Sequence, residues 1–197
     1  MSYILGLTGS IGMGKSTTAQ FFREEGVPVW DADAAVHRLY AKGGAAVEPI
    51  SRICPEATAI GKVDRNVLKK WIAREDDALA KLERIVHPLV AEDRADFIAD
   101  HADAPLIVLD IPLLFETGGA THMDGVLVVS VDAEEQRRRV LARQTMTEET
   151  FTSILARQMP DAEKRVRADF VIETYDMDSA RAEVRNLIKR LSEADNA

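Results

Sequence analysis

Between residues 6 and 18 the sequence reads GLTGSIGMGKSTT, placing four glycines and a lysine between an apolar run and an amphipathic one. Within it, Gly9 through Ser16 match the pattern G-x-x-x-x-G-K-[ST]. Glycines at this spacing let successive backbone N–H groups turn inward as an anion nest, and a following helix adds its positive end. Lys15 is then placed to reach the outer phosphates of a nucleoside triphosphate, and Ser16 to put its hydroxyl on a bridging Mg²⁺. The strand before and the helix after supply the context that this pattern needs. The stretch predicts a nucleoside-triphosphate site.

A second group of residues bears on the acceptor. The segment VWDADAAVH sets Asp31 and Asp33 just past a short apolar strand, at the edge where open α/β sheets bind ligands. An acceptor that is already a phosphate mainly needs arginines, whereas an alcohol must lose a proton as it attacks, which a nearby carboxylate assists. Either aspartate alone is equally well explained as the cap of the next helix, but their joint position favours an alcohol. His37 lies one turn beyond Asp33 on the same face. The stretch LIVLDIPLLFE ends a strand with Asp110, a candidate for holding Mg²⁺ through water, and Glu116 is a further acidic candidate. Arg139 and Arg143, four apart, would share a helix face and close over phosphates, while Arg138 reads as a solvated surface charge. His87 precedes Pro88, which biases its backbone away from helix. No histidine or cysteine spacing suggests zinc, and Cys54 reads as a small buried hydrophobe.

These residues need a scaffold, and the rest of the chain describes one. Near-continuous apolar runs at Tyr3–Leu7, Val27–Trp30, Leu106–Asp110, Gly125–Val131 and Phe170–Ile172 read as parallel strands covered on both faces. Helical patterns at Ser16–Glu25, Ala133–Gln144 and Ser179–Ala194 alternate with them, the rhythm of an α/β fold. From Ala34 to Asp103 the rhythm breaks into helical patterns such as Val67–Ala73 and Leu79–Val86, with Pro88 opening another helix to His101. A further helical block, Glu134–Arg167, carries two capping-box spacings, Asp132 to Glu135 and Thr145 to Glu148.

The chain of 197 residues, 46% apolar and 29% charged, is that of an ordinary globular protein. Its net charge of −8 argues against general nucleic-acid binding. The absence of a signal-like start or a spanning run, together with a single cysteine, suggests a cytoplasmic protein free of the membrane. No Asn-Lys-x-Asp guanine reader is present, and the chain is small for a motor or remodelling ATPase. Phosphoryl transfer to a small acceptor fits best; a regulatory triphosphate-binding module is the alternative from another class.

Taken together, these stretches resemble the dephospho-coenzyme A kinase family. The likeness runs through GLTGSIGMGKST, DADAAVHRLY, HPLV, VLDIPLLFE, the arginine helix, ARQ and RADFVIE, nearly the whole chain. The phosphate loop alone is common to many families; its combination with Asp-Ala-Asp, His-Pro-Leu and Pro-Leu-Leu-Phe-Glu is far more specific. The resemblance implies transfer of the γ-phosphoryl group of ATP, with Mg²⁺, to the ribose 3′-hydroxyl of dephospho-CoA, with no obligate protein partner. It implies a nucleoside-monophosphate-kinase-like five-stranded parallel sheet, with an α-helical substrate insertion and a small helical lid. Residues 1–33, 104–137 and 160–197 would form the nucleotide-binding core, 34–103 the insertion and 138–159 the lid.

By position, the resemblance gives Gly9, Gly12, Met13, Gly14, Lys15, Ser16, Thr17 and Arg143 to ATP. Asp33 becomes the catalytic base, assisted by Lys15 and by Arg139 of the lid. His87 and the loop Pro112, Leu113, Leu114, Phe115, Glu116 fall on the acceptor side; from the residues themselves, Asp31 and His37 are acceptor-side candidates as well, and Ser16 and Asp110 are candidates for the metal. Two positions depart from the family pattern. Gln144 stands where aspartate is common, and Thr174-Tyr175-Asp176 replaces an Asn-x-Gly turn beside the adenine, which implies weaker discrimination of ATP from GTP.

Overall fold

The computed structural model describes residues 2–194. In chain order its elements are β1 (Tyr3–Thr8), α1 (Lys15–Glu24), β2 (Val29–Asp31), α2 (Ala32–Tyr40), α3 (Val47–Ile53), α4 (Arg65–Arg74) and α5 (Ala78–Asp100). They continue with β3 (Leu106–Asp110), β4 (Gly125–Ser130), α6 (Ala133–Leu141), α7 (Glu148–Leu155), α8 (Asp161–Arg167), β5 (Phe170–Glu173) and α9 (Met177–Ala194). Short 3₁₀ turns lie at Pro55–Thr58 and Gly119–His122. The chain divides into two compact units, Met1–Trp30 with His101–Ala197, and Asp31–Asp100.

The first unit is built on a five-stranded parallel sheet in the order β2-β3-β1-β4-β5. Every residue of β3 and β4 is buried, which is why both strands read as unbroken apolar runs. One core cluster joins Leu5, Leu7, Val108, Leu127 and Val129 of the sheet to Phe21 and Phe22 of α1 and Val184 of α9. Leu7 is in register with Asp110, so the loop after β1 and the carboxylate ending β3 emerge side by side.

The second unit, α2 to α5, has its own core, in which Leu39, Ile50, Leu68, Trp71, Leu82 and Val86 meet. Here the sequence expectation fails at Pro88, which opens no helix: it lies inside the single 23-residue α5. Proline removes one helical hydrogen bond, but Leu82 and Val86 before it, and Leu89 and Val90 after it, all pack into this core. Tertiary packing overrides the local signal.

The helical block after β4 also differs from expectation. The α6 helix ends at Leu141 rather than Gln144, its end tightened by the Arg143 N–H donating to the Val140 carbonyl at 3.2 Å. Thr145 caps nothing; Thr147 is the N-cap of α7, its hydroxyl accepting from the Thr150 N–H. The Asp132 cap holds, accepting from the Glu135 N–H at 2.8 Å. Among the described residues no helix is long and apolar enough to cross a membrane.

Candidate active site

The loop between β1 and α1 is a backbone cradle braced from three sides. Gly12 and Gly14 adopt φ of 81° and 88°, a region that side chains disfavour. A Cβ at Gly12 would come within 2.5 Å of Val140 of α6, and one at Gly14 within 2.8 Å of the Thr174 hydroxyl. These glycines therefore serve close packing behind the loop as well as the turn itself. Among the described residues the N–H groups of Lys15, Ser16 and Thr17, the first turn of α1, have no protein acceptor, the arrangement an anion requires.

Met13, assigned to the phosphates, is engaged by protein, its N–H donating to the Ser10 carbonyl at 3.1 Å. Its side chain is buried, its sulfur accepts from the Val131 N–H at 3.2 Å, and its carbonyl accepts from the Thr174 hydroxyl at 2.8 Å. At the tip, the Ile11 N–H donates to Gln158 Oε1 at 3.1 Å while Gln136 Nε2 donates to the Ile11 carbonyl at 2.8 Å. Both glutamines escaped the sequence reading. Gln158 lies in the ARQ stretch that marked the resemblance, but nothing in the sequence ties it to a loop so far away.

Lys15 and Asp110 form a close ion pair, with side-chain exposures of 16% and 3%. The β1–β3 register sets this pairing. Asp110 and the Ser16 hydroxyl are hard oxygen donors, and no group of three or more metal-ligating His, Cys, Asp or Glu side chains occurs among the described residues. That donor set fits Mg²⁺, which takes one or two protein oxygens and completes its shell with substrate phosphates and water.

Beside the cradle lies a cavity of about 360 Å³ bounded by Gly12, Thr17, Arg139, Arg143, Tyr175 and Met177. Arg143 stands past the end of α6, so the two arginines do not share a helix face as expected; the cavity nonetheless brings them together. Arg139 donates from Nε to Glu135 at 2.6 Å, and from its two terminal nitrogens to the Thr174 hydroxyl at 3.1 Å and carbonyl at 2.6 Å. Arg138 makes an exposed pair with the same Glu135, as a surface charge should. Hydrogen bonds from Arg138 and then Arg139 pull the Glu135 carboxyl down to about 2. In the unusual turn, Asp176 accepts from the Ser179 N–H at 2.8 Å and so caps α9. The Tyr175 hydroxyl accepts from the Asp132 N–H at 2.7 Å and donates to its carboxylate at 3.0 Å.

In the loop of residues 112–116 two residues assigned to the acceptor side are engaged with protein. Leu114 is a core residue at 0% exposure, packed with Val126 and Val128. Glu116 is occupied: Oε1 accepts from the Met159 N–H at 2.8 Å and pairs with the fully buried Lys164 ammonium at 2.9 Å. Burial pushes the Glu116 carboxyl up, but Lys164 and the Met159 N–H outweigh it and hold it below its ordinary value. Pro112 is held by the Thr8 hydroxyl, which donates to its carbonyl at 3.1 Å. Pro112 and Phe115 are partly exposed, and Leu113 is exposed.

In the second unit the two aspartates separate. Asp31 is the N-cap of α2, its Oδ1 accepting from the Ala34 N–H at 2.9 Å. Asp33, in the first turn, is exposed and has no partner among the described residues. His37 is exposed one turn on and borders a separate cavity of about 380 Å³. His87 is exposed on α5 and does not border that cavity.

A family model described as dephospho-CoA kinase matches residues 3–178. A relative from Jannaschia sp. (strain CCS1), named dephospho-CoA kinase, is 60% identical over 98% of this chain and 99% of its own. Among solved structures, TT1252 from Thermus thermophilus superposes with a TM-score of 0.82 at 37% identity, covering 95% of this chain and 97% of its own. Dephospho-CoA kinase from Campylobacter jejuni gives 0.73 at 25% identity, covering 99% of this chain and 100% of its own.

Proposed function

This chain belongs to the dephospho-CoA kinase family, and from that premise we propose how its residues carry the family's reaction. The reaction is ATP-dependent phosphorylation of the ribose 3′-hydroxyl of dephospho-CoA, giving coenzyme A and ADP. The unpaired N–H groups at the start of α1 hold the triphosphate, and the cavity beside them takes the adenosine. Lys15 leaves Asp110 for the phosphate oxygens and stabilises the charge that spreads over them during transfer. Asp110 and Ser16 would hold Mg²⁺, which would supply neutralisation of phosphate charge there.

Asp33 takes the proton from the 3′-hydroxyl as that oxygen attacks the γ-phosphorus and ADP departs with the bonding pair. One observation carries this assignment: Asp31 is spent as a helix cap, so of two neighbouring carboxylates only Asp33 is free to act as base. Arg139 and Arg143 border the donor cavity and supply positive charge there.

Coupled ADP release tests the reading, with dephospho-CoA, a nucleoside and no acceptor as three arms. Turnover with dephospho-CoA well above the other two is expected. Faster turnover with the nucleoside, or equal ADP release without acceptor, would replace it.

A further inference from the structure

Lys164 of α8 is a lysine at 0% exposure. Among the described residues its ammonium has one ion-pair partner, Glu116 Oε1 at 2.9 Å, and no hydrogen-bond acceptor. The other charged groups of α8 near the pair are turned elsewhere. Asp161, one turn before Lys164, accepts from the Ser130 hydroxyl of β4 at 2.6 Å. Arg165 donates to the Ser130 hydroxyl and to Glu173 of β5, each at 3.3 Å. Burial pushes the Glu116 carboxyl up, and Lys164 is the charged side chain that pulls it down.

The pair stands where two loops of the donor site meet. The same Glu116 Oε1 accepts from the Met159 N–H at 2.8 Å, and the neighbouring Gln158 accepts from the Ile11 N–H at the tip of the phosphate loop. The loop that ends at Glu116 begins after Asp110, the partner of Lys15, and its Pro112 carbonyl is held by Thr8. Two apolar side chains would fill the space of the pair without the desolvation that buried charges suffer. What the charges add is direction. A carboxylate oxygen fixed by an ammonium is a strong acceptor at a set position for the Met159 N–H.

We propose that Lys164 is a positioning residue for the triphosphate site: it fixes Glu116 as a carboxylate, and through Met159 and Gln158 this sets the tip of the phosphate loop. The inference rests on the donor reading above. With an apolar residue in place of Lys164, Glu116 becomes a buried carboxylate without a countercharge, and burial then favours its neutral form. At low pH the protonated carboxyl stays inside, and its carbonyl oxygen still accepts from Met159. At high pH the carboxylate turns to water and the Gln158 contact is released with it.

The test measures the Kd of a non-hydrolysable ATP analogue by calorimetry at about pH 6 and about pH 9, a range across which an unpaired buried glutamate titrates. Each variant is compared with the parent at the same pH. Lys164→Met should bind at least about fivefold more weakly at the higher pH, the scale of one lost hydrogen bond, and within about twofold of the parent at the lower. Lys164→Met/Glu116→Gln keeps the acceptor oxygen without the charge, so it should stay within about twofold at both. Adding Gln158→Ala to Lys164→Met should weaken binding little further at the higher pH, because the same contact is already lost.

Unchanged binding by Lys164→Met at the higher pH, an equal loss at both pH values, or full additivity with Gln158→Ala would each overturn the role. If Lys164→Met does not fold, two variants free of the buried charge decide the matter. Lys164→Met/Glu116→Leu, which lacks the acceptor, should bind about fivefold more weakly than Lys164→Met/Glu116→Gln at both pH values; equal binding would overturn the role. A parent that does not bind the analogue would overturn this role together with the donor reading. A parent that binds it but does not phosphorylate dephospho-CoA would sink the kinase reading and leave Lys164 its role.

Discussion

The side-chain carbonyl of Gln158 accepts a hydrogen bond from the Ile11 N–H at 3.1 Å, across 147 positions of sequence. The next residue donates its N–H to Glu116 at 2.8 Å, so one short strut braces both the phosphate loop and the loop after β3. Gln158 holds the tip of the loop between β1 and α1 through this bond, which makes it a positioning residue for the triphosphate site proposed above.

Replacing Gln158 by alanine should therefore lower kcat/KM for ATP by about fivefold, the scale of one neutral hydrogen bond. The effect should fall on the donor KM and leave the KM for dephospho-CoA unchanged. Steady-state kinetics with each substrate varied would check this, and equal losses for both substrates would argue for general damage to the fold.

The pairing of Lys15 with Asp110 makes two substitutions informative. Lys15→Ala should reduce kcat by roughly a hundredfold or more, because a fixed charge at the transferring group is worth several kcal/mol. Asp110→Asn should shift the Mg²⁺ activation curve about tenfold higher, the usual penalty for disturbing a metal's immediate surroundings. An unmoved Mg²⁺ curve would remove Asp110 from the metal.

Asp31 and Asp33 can be told apart by stability as well as rate. Asp31→Ala removes the α2 cap and should cost about 1 kcal/mol of stability while kcat is largely retained. Asp33→Asn should leave the melting temperature alone and lower kcat by about 10² to 10⁴. The opposite pattern would assign the base to Asp31.

The turn after β5 revises what the sequence suggested about donor choice. Thr174 bonds Met13 and Arg139, and Asp176 caps α9, so both side chains are occupied by protein. Thr174→Asn/Asp176→Gly should accordingly change the ATP-to-GTP ratio of kcat/KM by less than about twofold, while losing only about a few tenths of a kcal/mol with the cap. A larger change in the ratio would restore these side chains to the base.

What the sequence made legible follows from the range of the interactions involved. The phosphate loop, the strands and the Asp132 cap are local patterns, and each stands where its residues indicate. Pro88 misled because its helix is stabilised by packing of Val86 and Leu89, residues whose partners lie far along the chain. Thr145 and Thr147 present nearly the same local signal, and only the turn from Arg143 to Met146 decides between them. Lys164, the buried partner of Glu116, sits among charged neighbours that read as a solvated helix. Its role depends on a contact that no spacing rule reaches.

Glu135 offers a pH-dependent check on the wall of the donor cavity. Bonds from Arg138 and Arg139 hold its carboxyl near 2, against an ordinary value of 4.5. A carboxyl depressed in the folded state favours folding while ionised, because the unfolded chain binds the proton more readily. The contribution is complete above about pH 4.5, declines as pH falls, and is gone once pH passes below about 2. Glu135→Gln removes the titration but keeps the shape, so it isolates this group from the other carboxylates. The parent should melt at a higher temperature than Glu135→Gln at neutral pH, and the gap should close through that acid range. Arg139 would keep its bonds to Thr174 throughout, so the cavity wall loses one tie rather than all three. A gap that stays constant from neutral pH to pH 2 would mean that the arginines do not hold this carboxylate in solution.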